Sequence, residues 1–194
     1  DPAVYAKAAE NLKRMVAEGV LIRDAEPCYY VYRLTAKGRI HTGLAAIASI
    51  ADYETNRIRR HELTTPVKED DRVRQIEAVN AQTGPVMLAY PTAPTLDSML
   101  GNVAAADPAV DVTAEDGVRH QLWVIDDNEI VGQLTRLVDA LPALYIADGH
   151  HRSAAAARVA HARGDNPACS HSYFLAVLFS HRGMTILDYN RVIR

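Results

Sequence analysis

Apolar residues recur at helical spacing in the opening segment, where Val4, Ala8, Leu12, Met15 and Val16 share one face. Asp1-Pro2 supply a cap and a helix-starting proline, and Gly19 offers an end. The β-rich run Tyr29-Tyr30-Val31-Tyr32 predicts a strand. From Thr42 to about Tyr53, Leu44, Ile47 and Ile50 fall three apart and predict a second helix. A polar, basic stretch runs through His61-Glu62-Leu63-Thr64-Thr65-Pro66. Helical spacing resumes after Asp70 with Val73, Ile76 and Val79.

Val86 to Tyr90 reads as a strand stopped by Pro91, and Thr95 to about Ala105 as a short helix. Val110 to Ile125 predicts a hairpin turning at Asp116-Gly117. Asp127 is placed to cap a helix with Ile130, Leu134, Leu137 and Val138 inward, broken by Pro142. Leu144-Tyr145-Ile146-Ala147 is a short apolar strand, Asp148 opens a loop into a further helix, and Gly164 ends that helix. A second hairpin is expected from Tyr173–Phe179 and Met184–Tyr189 about Arg182-Gly183. Strands alternating with helices and interrupted by hairpins predict an α/β (α+β) fold, a mixed sheet with helical cover.

Composition narrows the class. With 48% hydrophobic and 23% charged residues, the 194-residue chain has the balance of a soluble globular protein, and it reads as one α/β domain over 1–194. A net charge of −3 gives no basis for non-specific nucleic-acid binding, although Arg57-Ile58-Arg59-Arg60 is a local basic run of the kind usually found on a solvated face. Cys28 and Cys169 lie far apart and outside any CxxC pair, so a reduced protein is the simpler reading than a disulfide. No apolar run approaches a bilayer span and no signal-peptide pattern opens the chain, so the expected location is the cytoplasm.

The densest candidate chemistry is Asp148-Gly149-His150-His151-Arg152. An apolar strand delivers the chain to a glycine, and the alanine-rich helix that follows starts with unpaired N–H groups that favour an anion. Arg152 offers a bidentate fork for phosphate, and the imidazoles of His150 and His151 can donate to phosphate oxygens. Asp148 is positioned to hold a divalent metal or to accept a hydroxyl proton. The plainer alternative is a turn in which Asp148 only caps the helix. A second constellation spans Arg60 to Arg72. Its His61-Glu62 begins a zinc-protease HExxH, but Thr65 stands where the second histidine belongs, which excludes that motif. What remains, at His61, Glu62, Lys68 and Arg72 among others, is a dense set of groups for acid/base work, metal binding and phosphate contact; taken alone, the stretch reads as a solvated loop with a capping acidic cluster, Glu69 to Asp71, before a helix. His41-Thr42-Gly43 is a weaker candidate anion-binding helix start. The histidines at 41, 120, 161, 171 and 181 read as surface or packing residues, and Tyr29, Tyr30 and Tyr32 as strand packing. There is no Walker A and no GxGxxG.

The order of Tyr30-Val31-Tyr32, Thr42-Gly43, Asp52-Tyr53, His61-Glu62-x-Thr64, Lys68-x-x-Asp71-Arg72, Trp123 and Ile146-Ala147-Asp148-Gly149-His150-His151-Arg152 resembles the bacterial and archaeal family catalogued as domain of unknown function 1015. Members commonly extend beyond both ends of this chain, which implies that it is a central fragment. The DGHHR block is also similar to the phosphate-binding signature of the ParB and sulfiredoxin superfamily, which includes nucleotide-hydrolysing partition proteins and free serine kinases. That resemblance implies a ParB/sulfiredoxin-like strand–loop–helix phosphate site. In it Gly149, His150, His151 and Arg152 hold nucleotide phosphates while Asp148 works with Mg²⁺ or the acceptor hydroxyl. Sulfiredoxin chemistry needs a cysteine in this loop, and His150 and His151 stand there instead. The free serine kinases use a glutamate outside the loop as base, for which Glu62 is the internal candidate.

The expected activity is therefore a nucleotide-dependent phosphotransferase using Mg²⁺ with ATP or ADP, acting on serine or a similar hydroxylated metabolite. Asp148, Glu62 and His61 would carry the chemistry, and Gly149, His150, His151, Arg152, Lys68 and Arg72 would bind phosphates. The expected partners are a nucleotide and a small metabolite, with room for a homodimer and no role for nucleic acid or membrane. Two alternatives stand beside this reading. One is a nucleotide-binding or nucleotide-hydrolysing switch or interaction module with no metabolite acceptor; the other is a phosphometabolite-binding domain without turnover.

Overall fold

The structure is a computed structural model that describes residues 1–164 and 166–184. Among the described residues the α-helices are α1 (Pro2–Ala17), α2 (Ile50–Glu54), α3 (Pro66–Val79), α4 (Pro94–Val103), α5 (Asn128–Asp139) and α6 (His150–Arg163). The strands are β1 (Tyr29–Ala36), β2 (Arg39–Ser49), β3 (Ile58–Arg59), β4 (Val86–Tyr90), β5 (Val110–Thr113), β6 (Arg119–Ile125), β7 (Leu144–Asp148) and β8 (Tyr173–Ser180). They form one mixed sheet in the order β3-β7-β4-β8-β2-β1-β6-β5. Among the described residues only the β3–β7 and β4–β8 neighbours are parallel.

Most elements form where local chemistry asks for them. Asp1 caps α1 by accepting from the Ala3 N–H, and Asp127 caps α5 by accepting from Glu129 and Ile130. The Asp116-Gly117 turn joins β5 to β6, with Gly117 at φ 80°. Strand β8 matches the expected Tyr173–Phe179, whereas the return strand expected to reach Tyr189 lies beyond Met184, outside the described residues. Cys28 and Cys169 are free thiols. Among the described residues no helix is long and apolar enough to cross a membrane.

Two expectations are corrected. Residues 42–49 are strand, not helix, and only Ile50–Glu54 is helical. The spacing of Leu44, Ile47 and Ile50 mimics a helix, but Leu44 is buried while Ile47 is 63% exposed, which no common inward face allows. The segment is bonded on one side to β1 and on the other to β8, and this tertiary pairing overrides the helix preference of its alanines. His41-Thr42-Gly43 consequently lies within β2 and cannot be a helix start. The helix expected after Asp70 begins at Pro66, with Thr65 as its N-cap, so Glu69 to Asp71 lie inside α3 instead of capping it.

The core is organised by strand register. Trp123, Val31, Leu44, Leu178, Leu88 and Ile146 sit opposite one another in sequence across β6, β1, β2, β8, β4 and β7, and all six are buried. Leu96, Leu100 and Leu134 of α4 and α5 join the same core. Tyr29 Oη hydrogen-bonds Thr135 at 2.9 Å, and Trp123 Nε1 donates to the Ala106 carbonyl at 2.8 Å, which pins this helical layer to the sheet. On the other side of β2, the Phe179 ring lies over Gly43. A Cβ there would come within 2.6 Å of the Leu178 carbonyl oxygen and 2.8 Å of the ring. Gly43→Ala should therefore cost about 1–3 kcal/mol through overpacking, read as a lower denaturant midpoint at unchanged slope.

Candidate functional site

Strands β3 and β7 run parallel, side by side, and their carboxyl ends release the two segments richest in candidate chemistry. In open sheets with helical cover, the space outside the carboxyl ends of the strands is where ligands bind. From β7 the chain passes Asp148 to Gly149, which is the N-cap of α6 at φ 101°, ψ 24°. Glycine is required twice over at this position. The dihedral disfavours a side chain, and a Cβ would stand 3.2 Å from the Val86 Cα and 3.3 Å from Arg152 Nε. No side chain caps α6, so its first N–H groups keep their capacity for an anion. Asp148 is not the cap: its exposed carboxylate accepts from Arg152, whose other Nη donates to the Pro85 carbonyl.

From β3 the chain leads through Arg60 into the His61–Thr65 loop, which docks on the start of α6 through two histidines. The His61 N–H lies 3.5 Å from His150 Nε2, and the Thr65 N–H donates to His151 Nε2 at 3.2 Å. The His61 ring stands edge-on to the His150 ring, 4.5 Å between centroids. Glu62 extends a carboxylate to 3.4 Å from His150 Nδ1, while remaining 60% exposed itself. With Nε2 facing a backbone donor, the neutral His150 carries its proton on Nδ1, toward Glu62. The sequence-predicted residues His61, Glu62, Asp148, Gly149, His150, His151 and Arg152 are thus brought together. The two histidines, however, spend nitrogens on the neighbouring loop, and His150 is almost fully buried.

Burial pushes the pKa of His150 below its ordinary value, and the adjacent His61 adds to this against the opposing charges of Glu62 and Asp148. A folded-state pKa below the unfolded one means that the unfolded chain binds the proton more readily. The stability contributed by neutral His150 is therefore complete above about pH 6.5 and is lost as pH falls toward the lower folded value. A His150→Asn variant, which cannot titrate, should lose less stability than the parent protein on acidification from about pH 7.5 to about 5.5. Equal losses in thermal unfolding midpoints would show that His150 does not titrate in this way.

Helix α3 holds the second half of the site in place. Arg158 of α6 pairs with Glu69 at 3.2 Å and Asp70 at 2.7 Å, Thr64 bonds Glu69, and Tyr5 of α1 donates to Asp71 at 2.7 Å. Lys68 is exposed on the first turn of α3. Arg72, paired with Asp71, lines a cleft of about 420 Å³ together with Arg152, Gln75, Thr83 and Gly84. Two guanidinium groups therefore border one cleft between α3 and the turn that precedes β4. Sequence reasoning missed Thr83, Gly84 and the Pro85 carbonyl. The Gly-Pro dipeptide ahead of an apolar strand marks a turn, but nothing in it reveals that Arg152 will lie against it.

Among the described residues no group of three or more His, Cys, Asp or Glu side chains could hold a metal ion. Asp148 is a single exposed carboxylate, and its partner is Arg152.

No curated protein and no solved structure matches the chain significantly. The model of a family described as protein of unknown function (DUF1015) matches residues 1–194, and the chain belongs to that family.

Proposed function

We propose that this chain is a nucleotide-dependent phosphotransferase that moves a phosphoryl group onto the hydroxyl of a small metabolite, with serine or a similar compound as the first candidate. The observation that carries the reading is the docking of the His61–Thr65 loop on the start of α6. It sets the Glu62 carboxylate, an uncapped helix start and the Arg152 guanidinium at one end of the sheet. Phosphoryl transfer asks a protein mainly for positioning and for neutralisation of phosphate charge. In this reading the strand–loop–helix from β7 to α6 is a ParB/sulfiredoxin-like phosphate element, and the phosphates meet the N–H groups of His150 and His151 and the fork of Arg152. Arg72 and Lys68 extend the positive charge along α3.

Glu62 takes the proton of the acceptor hydroxyl. The acceptor oxygen forms its bond to the terminal phosphorus, and the bridging P–O bond breaks with its electron pair leaving on the nucleotide product. The Nδ1–H of His150 orients the Glu62 carboxylate for this step. Mg²⁺ carried by ATP or ADP would supply charge neutralisation on the phosphates, with Asp148 as its protein ligand. A cytoplasmic location suits such substrates.

The ion pair between Asp148 and Arg152 favours one second reading. Phosphate arriving on Arg152 must displace Asp148, and a nucleotide switch or interaction module could use that exchange without any acceptor. Calorimetric titration with ATP, ADP, CTP and pyrophosphate, with and without Mg²⁺, tests both readings, because both expect at least one of these to bind. Phosphorus NMR with a panel of amino acids and hydroxy acids then separates them. A new phosphomonoester signal supports the transferase, and nucleotide binding without one leaves the switch.

A further inference from the structure

Two cavities follow one another along α6, and Ile76, Ala81 and Gln82 wall both of them. The first is the cleft of about 420 Å³ at Arg152 and Arg72. The second, of about 270 Å³, is bordered by Ala156, Val159 and Arg163, about one to three turns farther along the helix. Gln82 fixes the wall that they share. Its amide donates to the Tyr173 carbonyl and accepts from the Leu175 N–H, both at 2.8 Å, which ties the loop between α3 and β4 to the start of β8. The second cavity is therefore shaped before any ligand arrives.

Direction decides what enters it. His150 and Arg152 stand two residues apart, about 200° around the helix axis, so Glu62 and the cleft flank the first turn of α6 from different sides. On the phosphotransferase reading proposed above, the terminal phosphate faces Glu62. The rest of the donor then leaves on the other side, past Arg152 and Arg72 and toward the second cavity, whose Val159 lies roughly 10 Å beyond Arg152 along the axis.

The walls of that cavity suit a flat ring with a hydrogen-bonding edge. Ile47, Ile76, Val159 and Leu175 supply aliphatic surface, and Ile47 is 63% exposed without a ligand. Asn80 gives its side-chain oxygen to Arg163 at 2.9 Å, which leaves its amide N–H groups as donors. His171 Nε2 lies 2.9 Å from the Gly164 carbonyl, which can only accept, so Nε2 carries the proton and Nδ1 of the neutral ring is an acceptor. An aliphatic ligand would strand these polar groups, and a bare sugar would leave the aliphatic side chains wet. A heteroaromatic base uses both.

We infer that the cavity between α3, α6 and the Ser170–Ser172 turn seats the base of the phosphate donor, which lies along α6 as a nucleoside polyphosphate. The inference rests on the phosphotransferase reading and adds to it a seat for the nucleoside, so that an inorganic polyphosphate is a poor substitute for the donor. Acceptor, phosphates and base then occupy successive positions from Glu62, across the start of α6, to Asn80 and His171.

The test compares ATP with inorganic tripolyphosphate by calorimetry on the parent protein and on two variants. Tripolyphosphate carries at least as much negative charge as ATP, so any advantage of ATP must come from the nucleoside. The expected advantage is about 10-fold or more, the yield of a few well-made contacts. Asn80→Gly removes the amide while suiting the left-handed backbone at that position, where φ is 49°. Ile47→Asn removes aliphatic surface at an exposed site. Each should weaken ATP by about 5-fold and leave tripolyphosphate unchanged, which also shows that the variant is folded. Tripolyphosphate binding as tightly as ATP overturns the base seat while the phosphate site stands. So does parent-like ATP affinity in both variants, since the base must then lie elsewhere. If neither ligand binds the parent protein, the phosphotransferase reading fails and the base seat falls with it.

Discussion

Glu62→Gln should lower phosphoryl transfer by about 10²–10⁴-fold, the usual contribution of a positioned general base, while nucleotide affinity stays near that of the parent. The asymmetry follows from geometry. The Glu62 carboxylate lies 3.4 Å from His150 Nδ1 and is otherwise open to solvent, so glutamine keeps the size and an acceptor oxygen for the imidazole N–H but cannot take a proton. No phosphate-binding group assigned to the site depends on Glu62, and at 60% exposure its loss leaves no buried charge behind. The measurements are kcat from phosphorus NMR time courses and Kd from calorimetry on the same preparation. His150→Asn adds a control: its amide can still donate toward Glu62, so kcat should fall by less than in Glu62→Gln. Full turnover in Glu62→Gln would mean that the base is elsewhere and that the docked loop serves only to close the site.

Much of the fold was legible because local signals and tertiary demands agreed. The caps at Asp1 and Asp127, the Asp116-Gly117 turn and the glycine between β7 and α6 each act within a few residues of where they stand. Strand β2 was illegible for the opposite reason. Its alanines and three-residue spacing favour a helix locally, and only the presence of β1 and β8 on either side makes it a strand. The site divides in the same way. Asp148 to Arg152 could be picked out from their own sequence, since an apolar strand, a glycine and a small-residue helix occur together. That Asp148 does not cap the helix, and that His150 turns inward, could not be. The partners that decide this, Arg152 against Pro85 and His150 against His61 and Glu62, depend on how β3 and β4 flank β7. For the same reason the pairing of Arg72 with Arg152 across one cleft has no trace in sequence spacing.

Arg152→Ala should weaken binding of ATP or pyrophosphate by about 10–100-fold, as expected for the loss of 1.5–3 kcal/mol of charge-assisted hydrogen bonding. Turnover should fall further, by about 10³-fold or more, since a guanidinium on the transferring group counts most in the transition state. Arg152→Lys should recover little of either, because an ammonium keeps the charge but loses the planar fork. The loss must be separated from a structural one, because Arg152 also donates to the Pro85 carbonyl. Asp148→Asn makes that separation. In the parent protein Asp148 is paired with the guanidinium proposed to take phosphate, so neutralising it should tighten the binding of pyrophosphate measured without Mg²⁺. Turnover with Mg²⁺ should nevertheless fall if, as proposed, Asp148 is the carboxylate that would hold the metal. Opposite shifts in metal-free binding for Arg152→Ala and Asp148→Asn are what a competition for one fork requires. Weaker binding in both variants would mean that the pair only holds the start of α6 in shape, and phosphate recognition would then have to be sought along Arg72 and Lys68 of α3.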